Sequence, residues 1–471
     1  MNLKKIGIVG AGTSGLITAL ILKSRFPKLK IKIIKSDKIG IIGVGEGSTE
    51  HWKEFIDFAK IDEKELIKET DATCKYGIYF KNWTDKDYVH NVSYLNNFTL
   101  GQYKAAYAFK IKNKNNLVNN HILQNNISIN YKPLQYHFNT LKLNNYLIKI
   151  CKSRNIKIVE DEITNVEVYN NSILKLNGKK NKYSFDFYID SSGFKKILIE
   201  KLGAKWISYS KYLPMNEAIA FPTGDTEEYT PYTLSKAMTS GWMWRIPTYG
   251  RWGNGYVFNN NYINAEQAKK ECEDYLKQKI EIGKNIKFEA GTIDKFWINN
   301  CCAIGLSSSF IEPLEATSIG TSIQQSFLLM HLLFNYNESQ INLYNKTISG
   351  LIENIRDFVI LHYLVNKKNS KFWEELKIIV PESLQEKLNL WKNRLPIKED
   401  FKQGYLLFYE SNFIVILHAL GLINVDSIKK EFNNLSKDYK LYVNNWVLQR
   451  EKEENNYIKH KLYLKQIRNE L

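Results

Sequence analysis

The sequence predicts an α/β fold built on a Rossmann-like dinucleotide-binding core, with a β-rich middle region and a helical C-terminal part. Three observations predict it. The chain opens on an apolar run, residues 5–9, that enters a glycine-rich turn, Gly10-Ala-Gly12-Thr13-Ser14-Gly15. Leu16, Ala19, Leu20 and Lys23 follow at helical spacing, and residues 30–35 form a second strand-like run, which makes a βαβ opening. Residues 230–262 have the aromatic-rich composition of strands, and from about residue 341 the periodicity is mostly helical.

The other elements follow in order. Residues 73–81 alternate as one strand, with Lys75, Gly77 and Tyr79 on one face and Tyr76, Ile78 and Phe80 on the other. Residues 85–135 are rich in Asn, Lys and Tyr and read as an insertion of loops and short strands. Residues 139–153 read as a helix, and residues 156–190 as β-hairpins that end at Tyr188-Ile189-Asp190-Ser191-Ser192-Gly193. An amphipathic helix is expected over 264–281, and another over 317–335 that starts at Thr317 or Ser318. The expected division is a core over residues 1–365 with interleaved insertions, and a mainly helical region over 366–471 that closes a chamber.

The 471 residues, 44% of them hydrophobic, suffice for one large core or two domains. Five cysteines without paired spacing give neither a zinc site nor a disulfide framework, which fits a reducing cytoplasm. The first twenty residues resemble a signal peptide only superficially, because Gly10, Gly12 and Gly15 interrupt the apolar run. No other stretch reaches membrane length: Phe413 to Ile423 is too short and carries His418. The net charge of +17 raises nucleic acid and membranes as partners. The lysines are scattered among Asn and Ile rather than gathered in one basic run, so neither partner is expected.

Each glycine of the turn has a physical task. Gly10 permits the tight turn, Gly12 lets the backbone approach a pyrophosphate, and Gly15 lets the helix pack close to the sheet with its amides facing the phosphates. The second strand of such a unit should end near an acid that holds the adenosine ribose. Lys35 and Ser36 occupy that region, with Asp37 just beyond, so Asp37 is the candidate and a loosely held dinucleotide is expected.

Four further segments carry a resemblance. They are Gly43-Val-Gly45-Glu46-Gly-Ser-Thr49, Lys75-x-Gly77-Ile78-x-Phe80-x-Asn82-Trp83, Gly241-Trp242-Met-Trp244-Arg-Ile246-Pro247, and Ser309-Phe310-Ile311-Glu312-Pro313-Leu314-Glu315-Ala316-Thr317-Ser318-Ile319. With the glycine turn, and with Tyr136-His137-Phe138, Asp190-Ser-Ser-Gly193-Phe194 and Phe372-Trp373, the chain resembles the flavin-dependent tryptophan halogenases as far as about residue 425. The resemblance implies an FAD-binding core of the flavin monooxygenase type. It implies that FADH2, O2 and a halide (chloride, bromide or iodide) give hypohalous acid, which crosses a tunnel to a small aromatic substrate. Lys75 would meet it there, as a hydrogen-bond donor or a transient haloamine, and Glu315 would orient the electrophile or take the ring proton.

The residue types suit that chemistry. Hypohalous acid is unselective, so it must be held against one ring carbon. An ammonium polarises its O–X bond, a neutral amine captures the halogen, and a carboxylate removes the ring proton. Free amides at Thr317 and Ser318 suit a halide, whereas the ordinary reading is an N-cap, and both can hold together. By the resemblance, Thr13, Ser14, Gly45, Glu46, Asp190, Gly305 and Ile319 join the cofactor site. Trp242 and Trp244, otherwise ordinary core aromatics, would keep organic substrate away from the flavin. Phe310, Pro313 and Phe408 would line the tunnel or chamber, and His90 would be a chamber histidine. A separate flavin reductase would supply FADH2, and a homo-oligomer is allowed.

The chain departs from the family at two places. Ala316 stands where a serine usually follows the glutamate. Residues 401–410, Phe-Lys-Gln-Gly-Tyr-Leu-Leu-Phe-Tyr-Glu, do not match the polar segment that grips free tryptophan, so another indole, a phenol or a larger aromatic is expected. The competing enzyme is an FAD-dependent aromatic hydroxylase, which needs neither Lys75 nor the tryptophan pair. A flavin protein that binds nucleic acid would instead show one basic face.

Overall fold

The computed structural model describes residues 3–36, 38, 40, 46–90, 123–128, 133–226, 228–402, 404–442, 445 and 457–470. The opening strand, Lys5–Val9, lies inside a six-stranded sheet. The order across that sheet is Trp297–Ile298, Cys301–Ala303, Phe187–Asp190, Lys5–Val9, Lys30–Lys35 and Lys157–Glu160. All neighbours run parallel except the Trp297–Ile298 edge. The two central strands, Lys5–Val9 and Phe187–Asp190, bury Ile6, Ile8, Val9, Phe187, Tyr188 and Ile189, as strands covered on both faces do. The Thr13–Arg25 helix packs between Thr140–Ser153 and Thr317–Leu332. Buried hydroxyls of Thr18 and Ser326, 2.8 Å apart, join the first and last of these.

This sheet corrects one expectation. Ile163–Tyr169 and Ser172–Gly178 do form a hairpin, but Lys157–Glu160 and Phe187–Asp190 are parallel strands of the core. The predicted helix over 264–281 spans Ala265–Leu276, where Lys277 turns left-handed at φ 56°. The predicted helix over 317–335 spans Thr317–Leu332.

A second, seven-stranded sheet follows the order Lys284–Lys287, Glu217–Thr223, Arg251–Phe258, Gly241–Thr248, Thr233–Met238, Ile78–Lys81 and Tyr88–His90. Residues 73–81 are not one strand. Ile78–Lys81 belongs to this sheet, whereas Thr73–Lys75 pairs with Gln135–Phe138 in a three-stranded sheet whose other edge is Glu46–Gly47. The chain changes sheets at Tyr76 and Gly77. The Tyr76 amide donates to the Pro231 carbonyl, and the Thr233 amide to that of Gly77. Lys75 therefore ends a strand just before the crossing between two sheets.

The 25-residue helix Glu338–His362 backs the Thr317–Leu332 helix. Near the C-terminus, Tyr457–Lys459 pairs with Asn126–Ser128, and the His460–Arg468 helix lies on Glu63–Glu69. Among the described residues no helix is long and apolar enough to cross a membrane, and all five cysteines are free and buried.

Candidate functional site

The glycine turn divides its tasks as its sequence requires. A Cβ on Gly10, which has φ +111°, would lie 2.1 Å from the Ser191 carbonyl oxygen, and one on Gly15 would lie 2.3 Å from that of Gly10. A Cβ on Gly12 would meet nothing within 4 Å. The turn is thus packed shut on the protein side and open above Gly12. The Thr13–Arg25 helix carries no side-chain cap and no acid in its first turn, so its positive end is left for an anion. Asn144 braces the turn by donating to the Ala11 carbonyl at 2.8 Å. Gly305, at φ +76°, sits so close that a Cβ would be 2.5 Å from the Ser14 hydroxyl. A residue from late in the chain thereby joins the first loop. This cradle fits a dinucleotide.

The other cofactor candidates are dispersed in role. Asp190 spends its carboxylate on its own loop, accepting from the amides of Ser192, Leu198 and Ile199 and from the Ser192 hydroxyl. It shapes the Ser192–Ile199 turn. Ile319 is buried in the first turn of the Thr317–Leu332 helix. Asp37 and Gly45 lie outside the described residues, and Glu46 is described only as a strand position.

The chemistry-bearing residues converge from five segments. Lys75 is buried, and its ammonium donates to the Ser48 carbonyl at 2.8 Å. A Cβ on Gly47 would lie 3.5 Å from the Lys75 Nζ and 3.3 Å from the Ala316 Cβ, so those three residues are neighbours. Burial pulls the Lys75 ammonium down to about 8 against the opposing fields of Glu315 and Glu50.

Glu315 is buried between two histidines. His90 Nδ1 donates to its carboxylate at 2.8 Å, and His362 Nε2 at 3.0 Å. Burial pushes the carboxyl up, but the field of His90 and the hydrogen bonds from both rings outweigh it and hold it at about 2. Asn412 supports the other edge of His90 at 3.2 Å. The other nitrogen of His362 faces the Phe358 carbonyl at 2.8 Å.

The backbone at this point is unusual. Glu315 at φ 69° and Ala316 at φ 56° are consecutive left-handed residues, and neither is glycine. Each costs on the order of 1 kcal/mol. The double turn aims Glu315 at its histidines. The helix starts at Thr317 as expected, with Ala316 as its N-cap and no side-chain hydrogen bond, so the alternative reading of Thr317 or Ser318 as an ordinary N-cap is not found. Thr317 is buried and Ser318 exposed, and the first-turn amides have no acceptor inside the helix.

Trp242 and Trp244 share one face of Gly241–Thr248, with ring centroids 6.1 Å apart. Trp242 Nε1 donates to Glu312 at 3.2 Å, and the Tyr363 hydroxyl donates to the same oxygen. Burial raises Glu312 to about 7, against those two hydrogen bonds. Phe310 packs between Phe194 and Phe288 at 5.2 and 5.0 Å, and Pro313 is exposed. Phe408 stacks on Phe358 at 3.9 Å, and Phe358 in turn lies against both histidines. Lys75, Glu315 and His90 thus form one cluster with Phe408 at its apolar side. His362, Glu312 and Tyr363 were not anticipated. The available signal for His362 was a lone polar residue ending the apolar run Phe358 to Leu361.

The tryptophan halogenase family model matches residues 5–430. The chain is 27% identical to the tryptophan 6-halogenase SttH of Streptomyces toxytricini, over 90% of each chain. In structure it resembles a tryptophan halogenase from Shewanella frigidimarina (TM-score 0.89, 24% identity, 99% of this chain and 97% of that one). It also resembles Xcc4156, a flavin-dependent halogenase from Xanthomonas campestris (TM-score 0.87, 25% identity, 99% and 98%). The chain belongs to the tryptophan halogenase family.

Proposed function

We propose that this flavin-dependent halogenase directs hypohalous acid through Lys75 and Glu315 onto an aromatic substrate, an indole or phenol other than free tryptophan. The observation that carries the reading is a buried lysine within the field of a buried, histidine-clamped carboxylate. Gly10, Gly12, Thr13, Ser14, Gly15 and Gly305 would hold FAD, with Ile319, Asp190 and the segment around Gly45 and Glu46 beside it and Asp37 toward its ribose. When bound and reduced, FAD would give two electrons to O2, which takes two more from the halide to yield hypohalous acid and water.

The amides of Thr317 and Ser318 would hold the halide, and Trp242, Trp244, Phe310 and Pro313 would bound its path. Lys75 keeps one hydrogen on Ser48, which leaves two to grip the electrophile's oxygen. Glu315, fixed as a carboxylate, would accept the ring proton. Support for a substrate without the amino-acid head comes from the composition of residues 401–410. Within them the backbone of Leu407 and Phe408 is taken up by Asn354, which accepts both amides and donates to the Phe408 carbonyl. The relatives named for tryptophan make free tryptophan a required member of any test.

The test is mass spectrometry of an assay with FAD, a flavin reductase, NADH, O2 and one halide at a time. Free tryptophan, other indoles and phenols are offered, with Lys75→Ala in parallel. Halogenated indole or phenol from the wild type, none from the variant and none from tryptophan is the expected result. Halogenated tryptophan would overturn the substrate assignment, and hydroxylated product would move the chain to the aromatic hydroxylases.

A further inference from the structure

Glu50 comes two residues after Ser48, whose carbonyl takes the Lys75 ammonium, and just before the His51–Phe58 helix. Its side chain is tied to the Lys75 strand pair. Gln135 stands opposite Lys75 in the antiparallel register, so the two side chains leave the same face as neighbours. The buried Gln135 amide donates to the Glu50 carboxylate at 3.3 Å. Lys75 and Glu50 are thus brought together by two short links, the Ser48 carbonyl and Gln135. Glu50 is half-buried, and its side chain has no other hydrogen bond or ion pair among the described residues.

The other groups around Lys75 differ from Glu50. Glu315 also acts on the ammonium, but His90 holds it at 2.8 Å and His362 at 3.0 Å. His137 shares the Gln135 face, and burial and Lys75 itself hold it well below the usual histidine range, so it adds no repelling charge. His460, which takes the Cys74 amide, is lowered by burial to about 4 and is neutral as well. Burial pushes the Cys74 thiol up, and burial with Glu315 does the same to the Tyr88 phenol, so both keep their protons. Glu50 is therefore the carboxylate near Lys75 whose charge is least committed elsewhere. Its attraction opposes the desolvation that draws the lysine proton off.

We infer that Glu50 is a positioning carboxylate for Lys75: tethered by Gln135, it keeps the lysine an ammonium and so commits it to hydrogen-bonding the electrophile. The inference rests on the reading of Lys75 as the residue that meets hypohalous acid, and it deepens that reading. A neutral amine is the form that would exchange an N–H hydrogen for the halogen and release water. Glu50 sets how much of that form exists at a working pH. It acts through Lys75 and not on the substrate.

Magnetic resonance of the full chain, labelled with heavy carbon at the lysine ε position, reads the Lys75 proton without any halogenation. The spectrum of Lys75→Met identifies the signal. In the wild type it should titrate at about 8. Glu50→Gln keeps an acceptor for Gln135 and loses the charge, so the midpoint should fall by about one pH unit, and Glu50→Asp should return part of it. At pH 7.5 such a fall leaves roughly one third as much ammonium. Halogenation at saturating substrate should then drop about threefold in Glu50→Gln at that pH, with KM unmoved, and the deficit should narrow as pH falls to 6. A Lys75 midpoint that is the same in the wild type and in Glu50→Gln would overturn the proposal, as would a fall that Glu50→Asp shares in full. A midpoint that falls while the pH–rate curve stays in place would leave Glu50 its hold on the proton and refute the role given to Lys75.

Discussion

Lys75 is a buried ammonium with one carbonyl partner among the described residues, and the charge is costly there. Its pKa of about 8 lies below the ordinary 10.5. Between those values the unfolded chain holds a proton that the folded chain has released. This group therefore makes stability rise with pH from 8 to 10.5, and at neutral pH it withholds roughly 3 kcal/mol. Lys75→Met should abolish halogenated product yet stabilise the fold at pH 7. The gain should be up to about 2 kcal/mol once the lost Ser48 hydrogen bond is counted. Urea unfolding measures it, and a loss above 1 kcal/mol would refute the account. Because Glu315 is held at about 2, it stays ionised through the working range. Lys75 then sets the alkaline limb. The rate should fall as pH rises through about 8 if the ammonium grips the electrophile, as we expect, whereas a rise there would assign the haloamine instead.

Two glycines three positions apart separate docking from packing in the first turn. Gly12→Ala adds a methyl group where nothing lies within 4 Å, at an ordinary φ of −70°. It should leave unfolding within about 1 kcal/mol of wild type while weakening FAD binding at least tenfold. Gly15→Ala forces a Cβ to within 2.3 Å of the Gly10 carbonyl oxygen and should cost about 1–3 kcal/mol of stability. Thermal unfolding with flavin titration compares them, and equal destabilisation would show that Gly12 does not face the cofactor. This element was legible in the sequence because its residues are contiguous and each has one steric task. The strand over 73–81 was misread because both halves alternate with period two. The change of sheet is decided by Pro231 and Thr233, which are far away in sequence. The cap at Ala316 was hidden for a similar reason: its left-handed turn accompanies the hold of His90 and His362 on Glu315. Contacts that long leave no local pattern. Lys75, Glu315 and His90 were legible only as parts of motifs.

Across the whole molecule, acid acts first around the strand that carries Lys75. His460, from the C-terminal segment, accepts the Cys74 amide at Nε2 (3.1 Å) and faces the Tyr229 carbonyl with Nδ1 (3.2 Å). Burial lowers it to about 4. His137, between the hydroxyls of Thr73 and Thr233, is likewise depressed, by burial and by Lys75. Both rings stay neutral in the folded chain while the unfolded chain protonates them below about 6.5. Stability is therefore lost as pH falls from 6.5, and for His460 the loss is complete near 4 and amounts to roughly 3 kcal/mol. Glu315 adds a loss below 4.5, because its folded carboxyl resists protonation down to about 2. Glu312 works the other way: raised to about 7, it favours the folded state as pH falls from 7 to 4.5. Glu312 therefore offsets part of what the two histidines lose. His460→Gln keeps an acceptor for the Cys74 amide but cannot titrate. Urea unfolding at pH 7, 5.5 and 4.5 should give a wild type that loses about 3 kcal/mol more than this variant. Parallel curves would mean that His460 is already charged in the fold. In that case the C-terminal segment would not be held to the Lys75 strand by a neutral ring.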